Sequence, residues 1–324
     1  MPLGVKPPDF LSIGVNAFNE SPSVARMLES VLKNSLWKAV PSGRKEVVVC
    51  ANGCTDNGKT ANAVRSVQRE HPEVKLVETR KKGFSFARNL LAQRMDRRAD
   101  VLFFFDADVL VRRKTMEALY RALAGNPKID VAAAQVVPAA KFVDKRFRKG
   151  FAVGAVEAYD QSMLQPPAKR ISGAGYAVRG SVIRAIKLPE SLQGGVDLYL
   201  TLKIGRNRVA RVREAQVVHR TIGSIVDFKR QRLRSLVGKA QLKALFPEEE
   251  FGAEQGRWSR IPLKERLLRF AGMPDSQKAS SLGANAMDLV AKAQAKLAIR
   301  RLKKGKPVDV WKPTVSDKLH RRRR

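Results

Sequence analysis

The sequence predicts an α/β fold: a mostly parallel central sheet with helices on both faces, followed by a basic helical extension. Three observations predict it. Short apolar runs alternate with helical periodicities from residue 11 to residue 136. Residues 103–110 read Phe-Phe-Phe-Asp-Ala-Asp-Val-Leu, an apolar run suited to a strand covered on both faces, and it ends in two carboxylates. The formal net charge of +33 is uneven, with +8 over residues 1–140 and +25 over residues 141–324. The charge argues for an anionic partner: nucleic acid, an acidic membrane or a phosphorylated substrate.

The elements follow in order. Residues 11–15 are a short apolar strand, and residues 16–20 a polar turn. Ser21 is placed to cap a helix with Pro22 at its first position, and Val24, Met27, Leu28, Val31 and Leu32 recur at helical spacing. Residues 46–50 (Glu-Val-Val-Val-Cys) form the second strand and run into a turn-rich stretch at 51–58. A helix over 59–70 and a third strand over 74–78 come next. Gly83 marks a turn before a helix over 85–93. The fourth strand, 103–106, precedes a helix over 114–123, and 131–136 is a fifth strand. Strand, turn and helix in repetition are the units of a parallel sheet, whose carboxyl edge is where ligands bind. There Asp106 and Asp108, one residue apart, can share a hard divalent cation that also holds phosphate oxygens.

Several classes are excluded. There is no Gly-x-x-x-x-Gly-Lys-Ser/Thr and no Gly-x-Gly-x-x-Gly after the first strand, which argues against a P-loop protein and a dinucleotide-binding dehydrogenase. Cys50 and Cys54 are the only cysteines, so there is no disulfide framework, and a reducing compartment is expected. No stretch reaches the ~20 apolar residues of a bilayer span. The first ten residues hold three prolines and no apolar h-region, so no signal peptide is expected. The expected location is cytoplasmic, or peripheral on the cytosolic face of a membrane.

Four stretches of the first half, taken together and in order, resemble those of family 2 glycosyltransferases, which have the GT-A fold. Asn16-Ala17-Phe18-Asn19-Glu20 resembles the family's first nucleotide-binding loop, and Asn52-Gly-Cys-Thr-Asp56 its second. Gly83 with Ala87-Arg88-Asn89 resembles the loop and helix that contact the sugar nucleotide, and Asp106-Ala-Asp108 the metal motif. The resemblance implies a Mn²⁺ or Mg²⁺ ion held mainly by Asp108. It also implies that Asp106 orients the ribose or donor sugar, that Asn19, Glu20, Asn52 and Asp56 form the base and ribose pocket, and that Arg88 lies near the sugar or phosphates. Many members have Asp where Asn52 stands; an Asn both donates and accepts, so UDP-sugar and GDP-sugar donors are both expected candidates.

The second half carries the acceptor side of the resemblance. Residues 141–170 read as one or two helices, and residues 171–179 as a glycine-containing strand that resembles the one lining the acceptor side. Residues 189–200 resemble the family's acidic acceptor motif, with Val196 where Glu is usual and Asp197 retained. A carboxylate at a helix start is held charged, which suits a general base acting on an acceptor hydroxyl. A strand over 209–218 ends at His219, a further metal ligand by analogy with related folds. Within a helix over 227–238, Gln231-Arg-Leu-Arg234 resembles the Gln-x-x-Arg-Trp element, with Ser235 in place of Trp. That change and the lack of spans argue against processive synthesis. Arg234, or its neighbours Arg230 and Arg232, is a candidate for the donor diphosphate.

The expected organisation is a GT-A domain over 1–245, with a nucleotide-sugar half at 1–140 and an acceptor half at 141–245. A basic helical extension and tail occupy 246–324. In that extension 263–270 and 285–302 read as helices. The second places Lys292, Lys296, Arg300 and Arg301 beside Met287, Val290, Leu297 and Leu302, a pattern suited to an anionic bilayer. The expected function is a metal-dependent, inverting transfer of a sugar from a nucleotide-sugar donor to an unknown hydroxyl or phosphate acceptor, a lipid-linked one at the cytosolic membrane face among the candidates. The rivals are a nucleotidyltransferase and a nucleic-acid-binding protein. The first lacks its glycine-rich basic loop at 16–20, and the second lacks a stacking platform, aromatic content being 6%.

Overall fold

The computed structural model of the chain describes residues 6–138, 169–219, 225–247, 275–304, 306 and 308. Residues 141–168 of the helices expected over 141–170, the helix expected over 263–270 and the tail at 321–324 lie outside the described residues. The chain divides into two compact units, one of residues 1–139, 164–192 and 196–220, the other of 140–163, 193–195 and 221–324.

In the first unit eight strands form one sheet: β1 (Leu11–Ala17), β2 (Lys45–Asn52), β3 (Val74–Thr79), β4 (Val101–Asp106), β5 (Val109–Val111), β6 (Val131–Pro138), β7 (Gly175–Arg179) and β8 (Val209–His219). Their order is β3-β2-β1-β4-β7-β6-β8-β5. The first four pair in parallel, β7 runs against β4 and β6, β6 and β8 are parallel, and β5 runs against β8. β5 is a three-residue strand that the sequence reading did not anticipate; Val109 and Val111 are buried and pair with the end of β8. The expected strand from residue 171 begins only at Gly175. A side chain there would lie within 3.0 Å of the Phe105 ring and Val217, so the close approach of β7 to its neighbours requires glycine.

The helices of this unit are α1 (Val24–Leu32), α2 (Ser35–Ala39), α3 (Lys59–Glu70), α4 (Phe84–Arg94), α5 (Thr115–Ala124), α6 (Gly180–Ala185) and α7 (Val196–Ile204). α1 buries Val24, Met27, Leu28, Val31 and Leu32, the residues at helical spacing in the sequence. Its cap is Ser23, not Ser21. The carbonyl of Glu20 accepts the amides of both Ser23 and Val24, so a turn over 20–23 precedes the helix and Pro22 stays outside it. β4 shows why its sequence is apolar throughout. Phe103 and Phe105 join the core cluster on one face, while Phe104 stacks on Tyr176 on the other, with ring centroids 5.3 Å apart.

The second unit contains α8 (Ile225–Leu245) and α9 (Asp275–Lys303). α8, expected within the domain ending at 245, packs here with α9: Val237, Leu233 and Leu236 meet Ala295, Ala298, Ile299 and Leu302. Small alanines on one face of α9 allow this close contact. Leu289 and Leu297 are exposed on the opposite side, together with Lys296 and Arg300.

Candidate active site

Parallel strands that end together present their last residues along one edge. Asn16 of β1 pairs with Asp106 of β4 on one side and Cys50 of β2 on the other, and Asn52 pairs with Thr79. The loops that leave this edge are tied to one another. Asn19 sits in left-handed backbone at φ 57°, a conformation that Asn tolerates better than most residues. Its carboxamide oxygen accepts the Thr55 amide at 2.8 Å, and its Nδ2 donates to Thr55 Oγ1 at 3.0 Å. The loops after β1 and β2 are thereby clasped. Gly53, at φ 59°, lies against Lys82, where any side chain would collide. Asn52 donates to the Gly83 carbonyl at 3.2 Å and so holds the loop before α4.

The remaining residues of these loops have divided roles. Asp56 Oδ2 accepts both the amide and the hydroxyl of Thr60, at 2.9 and 2.5 Å, which anchors the first turn of α3. Glu20 accepts from the Ser23 hydroxyl at 2.5 Å. Ala17 is fully buried in β1, and its carbonyl accepts from the Cys54 thiol at 3.6 Å. The Oδ1 atoms of Asn16, Asn52 and Asp56 are buried and have no hydrogen-bond partner among the described residues. An orphaned buried acceptor costs about 1–3 kcal/mol. Three of them at the carboxyl edge of one sheet suit a partner rich in N–H and O–H groups.

Beside them lies the acidic centre. Asp106 Oδ1 is 3.5 Å from Arg88 Nη2, and Asp108 Oδ2 is 3.5 Å from His219 Nε2. His219 reaches Asp108 because β5 and β8 pair Val109 with His219. Burial pushes the Asp106 carboxyl up to about 7; the Arg88 charge opposes this, and the charges of Asp108 and Asp197 add to it. Arg88, expected near the donor, is 3% exposed. Its guanidinium lies 4.7–5.4 Å from the ring centres of Phe84, Phe104 and Tyr176. It is a buried positive charge beneath Asp106, and its nitrogens have no hydrogen-bond partner among the described residues. No group of three His, Cys, Asp or Glu side chains among the described residues is gathered as a ready-made metal cage. Asp106, Asp108 and His219 supply a partial set of oxygen and nitrogen donors.

Asp197 sits in the first turn of α7, as the sequence reading expects. Its Oδ2 accepts from Arg170 Nη2 at 3.1 Å, and its Cβ lies 3.9 Å from where a side chain on Gly173 would begin. Its charge acts on both Asp106 and Tyr176, so it belongs to the same centre. Other candidates are placed differently. Asn89 gives and takes one 2.9 Å hydrogen bond with the backbone of Leu188 and so ties that segment to α4. Gln231 and Arg234 lie on α8 in the second unit. Two residues that the sequence reading did not single out, Tyr176 and Arg170, stand at the centre. The Tyr176 hydroxyl is buried without a partner among the described residues. A lone Tyr in Gly-Tyr-Ala-Val carries no sequence signal of this role; the adjacent glycines were the available hint.

Residues 12–183 match the family described as Glycosyl transferase family 2. Among solved structures, the chain is similar to the mannosyltransferase PcManGT from Pyrobaculum calidifontis, solved in complex with GDP-Man and Mn²⁺. The identity is 20% and the TM-score 0.53, over 93% of this chain and 84% of that one. It is also similar to TarS of S. aureus, at 18% identity and a TM-score of 0.50, over 89% of this chain and 55% of that one. A search of curated protein sequences returns no match. At such identities the structural similarity speaks for the fold.

Proposed function

The chain belongs to glycosyl transferase family 2 and has the GT-A fold, and from that premise we propose that it moves a sugar from a nucleoside-diphosphate sugar to a hydroxyl or phosphate acceptor, with inversion. The observation that carries the proposal is the Asp108–His219 pair beside Asp106, which feels the charge of Asp197, at the edge where the two clasped loops leave the sheet. PcManGT, which shares the fold, was solved in complex with GDP-Man, a nucleotide sugar of this class.

The donor's base and ribose supply the N–H and O–H groups that the orphaned oxygens of Asn16, Asn52 and Asp56 lack. Asp106, with one oxygen against Arg88 and the side chain 27% exposed, presents its open oxygen to the donor. The partial donor set of Asp106, Asp108 and His219 fits Mn²⁺ or Mg²⁺, since such ions take one or two carboxylates and leave positions for substrate phosphates. When bound, the cation supplies Lewis-acid stabilisation of the departing diphosphate. Asp197 accepts the proton of the incoming hydroxyl. The new bond from that oxygen to the anomeric carbon forms as the bond to the diphosphate breaks on the opposite face. With one acceptor-side carboxylate acting as base and not as nucleophile, the anomeric configuration inverts. A lipid-linked acceptor at an anionic membrane face belongs to the same reading, and the leucine-bearing basic side of α9 supports it.

The test is thermal stabilisation by UDP, GDP, CDP and dTDP with and without Mn²⁺, on the wild type and on Asp108→Ala and Asp197→Asn. A nucleotide at ~100 times its Kd adds about 2.7 kcal/mol. A Mn²⁺-dependent shift with one nucleotide is expected, lost in Asp108→Ala and kept in Asp197→Asn. Asp197→Asn is expected to lose transfer while keeping donor binding. Absence of a shift with every nucleotide would overturn the proposal.

A further inference from the structure

The mechanism above leaves unused a concentration of positive charge beside Asp197, all within the first unit. Sheet register runs Phe104, Tyr176, Ala133 and Arg211 side by side across β4, β7, β6 and β8. Directly paired residues point to the same face of a sheet. Arg211 therefore shares a face with Tyr176, and only the Ala133 methyl stands in the row between them. The Arg211 guanidinium is partly tied down: Nε donates to Gln135 Oε1 at 3.1 Å, and Nη2 to the Ala134 carbonyl at 3.4 Å. Its Nη1 is buried and has no partner among the described residues. Arg170 stands near enough for its charge to act on Arg211; that repulsion, after burial, lowers the Arg211 pKa to about 10. Arg170 itself donates to Asp197. The buried Tyr176 hydroxyl offers a further unpartnered group in the same row.

Arg211 adds a second guanidinium charge beside the Arg170–Asp197 pair and leaves a buried N–H over, which calls for a further anion. A phosphate answers it, because its oxygens take paired N–H donors from planar guanidinium groups. We infer that Arg211 and Arg170 form an anion subsite on the acceptor side, which holds a phosphate group of the acceptor next to Asp197. This rests on the glycosyltransferase reading for the word acceptor. Arg170 bridges the two negative groups, so that Asp197 faces a neighbouring hydroxyl while the phosphate is held by Arg211. The substrate class is thus a hydroxylated phosphate, and the subsite fixes which hydroxyl meets the base.

Calorimetric titration of the full chain with glycerol 3-phosphate, with glycerol as the neutral control, tests this in the presence of a chelator. A parallel titration with the stabilising nucleotide and Mn²⁺ reads the donor site. The expected result is binding of glycerol 3-phosphate and not glycerol. Arg211→Gln should weaken it at least tenfold and Arg211→Lys less, with nucleotide affinity unchanged in both. The lysine variant keeps the charge and serves if the glutamine variant does not fold. Equal glycerol 3-phosphate affinity in wild type and Arg211→Gln, or equal affinity for glycerol, would overturn the subsite. Vesicles of phosphatidic acid at matched phosphate concentration separate a membrane headgroup from a soluble acceptor; Arg211-dependent binding to vesicles alone would overturn the acceptor assignment. Loss of nucleotide binding in the wild type would remove the glycosyltransferase reading and leave the anion result standing.

Discussion

Asp106 is held between opposing influences. Burial raises its pKa from an ordinary 3.8 to about 7, while Arg88 pulls it down. A carboxyl whose folded pKa lies above its unfolded value favours the folded state when protonated. That contribution is complete below the ordinary carboxylate range and is lost as pH rises through about 7. Without divalent cation, Asp106→Asn should therefore melt above the wild type at about pH 8 and alongside it at about pH 4, as scanning calorimetry in chelator would show. Equal pH dependence of the two proteins would contradict the assignment. The carboxylates were legible in the sequence because an apolar strand ending in Asp-x-Asp places them at a sheet edge. Arg88 is expected near the donor, but its burial was not legible, because Phe104 and Tyr176 come from two other elements to join Phe84, one turn before it in α4. Asn89 sits beside Arg88 in the same helix, yet its amide serves the chain at Leu188, a partner 99 residues away that no local pattern reveals.

The loops after β1 and β2 work as a single device, joined by two hydrogen bonds between Asn19 and Thr55. Asn19→Ala removes both bonds and leaves an unfavourable left-handed backbone. Each bond contributes roughly 0.5–1.5 kcal/mol and the backbone about 1–2 kcal/mol. Urea denaturation should report a loss of about 2–5 kcal/mol, and Asn19→Gly a smaller one because glycine tolerates the backbone. Both variants should also bind the stabilising nucleotide more weakly. Strands and amphipathic helices were legible because burial writes a period into the sequence, as at Val24, Met27, Leu28, Val31 and Leu32. β5 was not, because three residues are too short for a period to register and the strand exists through its pairing with β8. The start of α1 moved for a local reason: the Glu20 carbonyl captures two amides before the helix begins.

At the scale of the molecule, the charge of +33 and the exposed Leu289 and Leu297 on a lysine- and arginine-bearing helix side set up one expectation. Each basic residue near an anionic leaflet contributes about 1 kcal/mol, screened by salt. The chain should float with phosphatidylglycerol vesicles and not with neutral ones, less so at high salt, and the double variant Leu289→Glu, Leu297→Glu should float least. Equal flotation of variant and wild type would remove α9 from the contact. Among the described residues no helix is long and apolar enough to cross a membrane. The division of the chain has a practical consequence of a different kind. Residues 140–163 and 193–195 of the second unit lie in the chain between stretches of the first, so the polypeptide passes from one unit to the other five times. No single stop codon can release either unit whole. A fragment ending at residue 220 keeps two orphaned pieces of the second unit, and one ending at 245 strands α8 without the alanine face it packs against. Fusion tags should therefore leave residues 1–324 uninterrupted, and any split-protein reporter should be cut within a loop of the first unit.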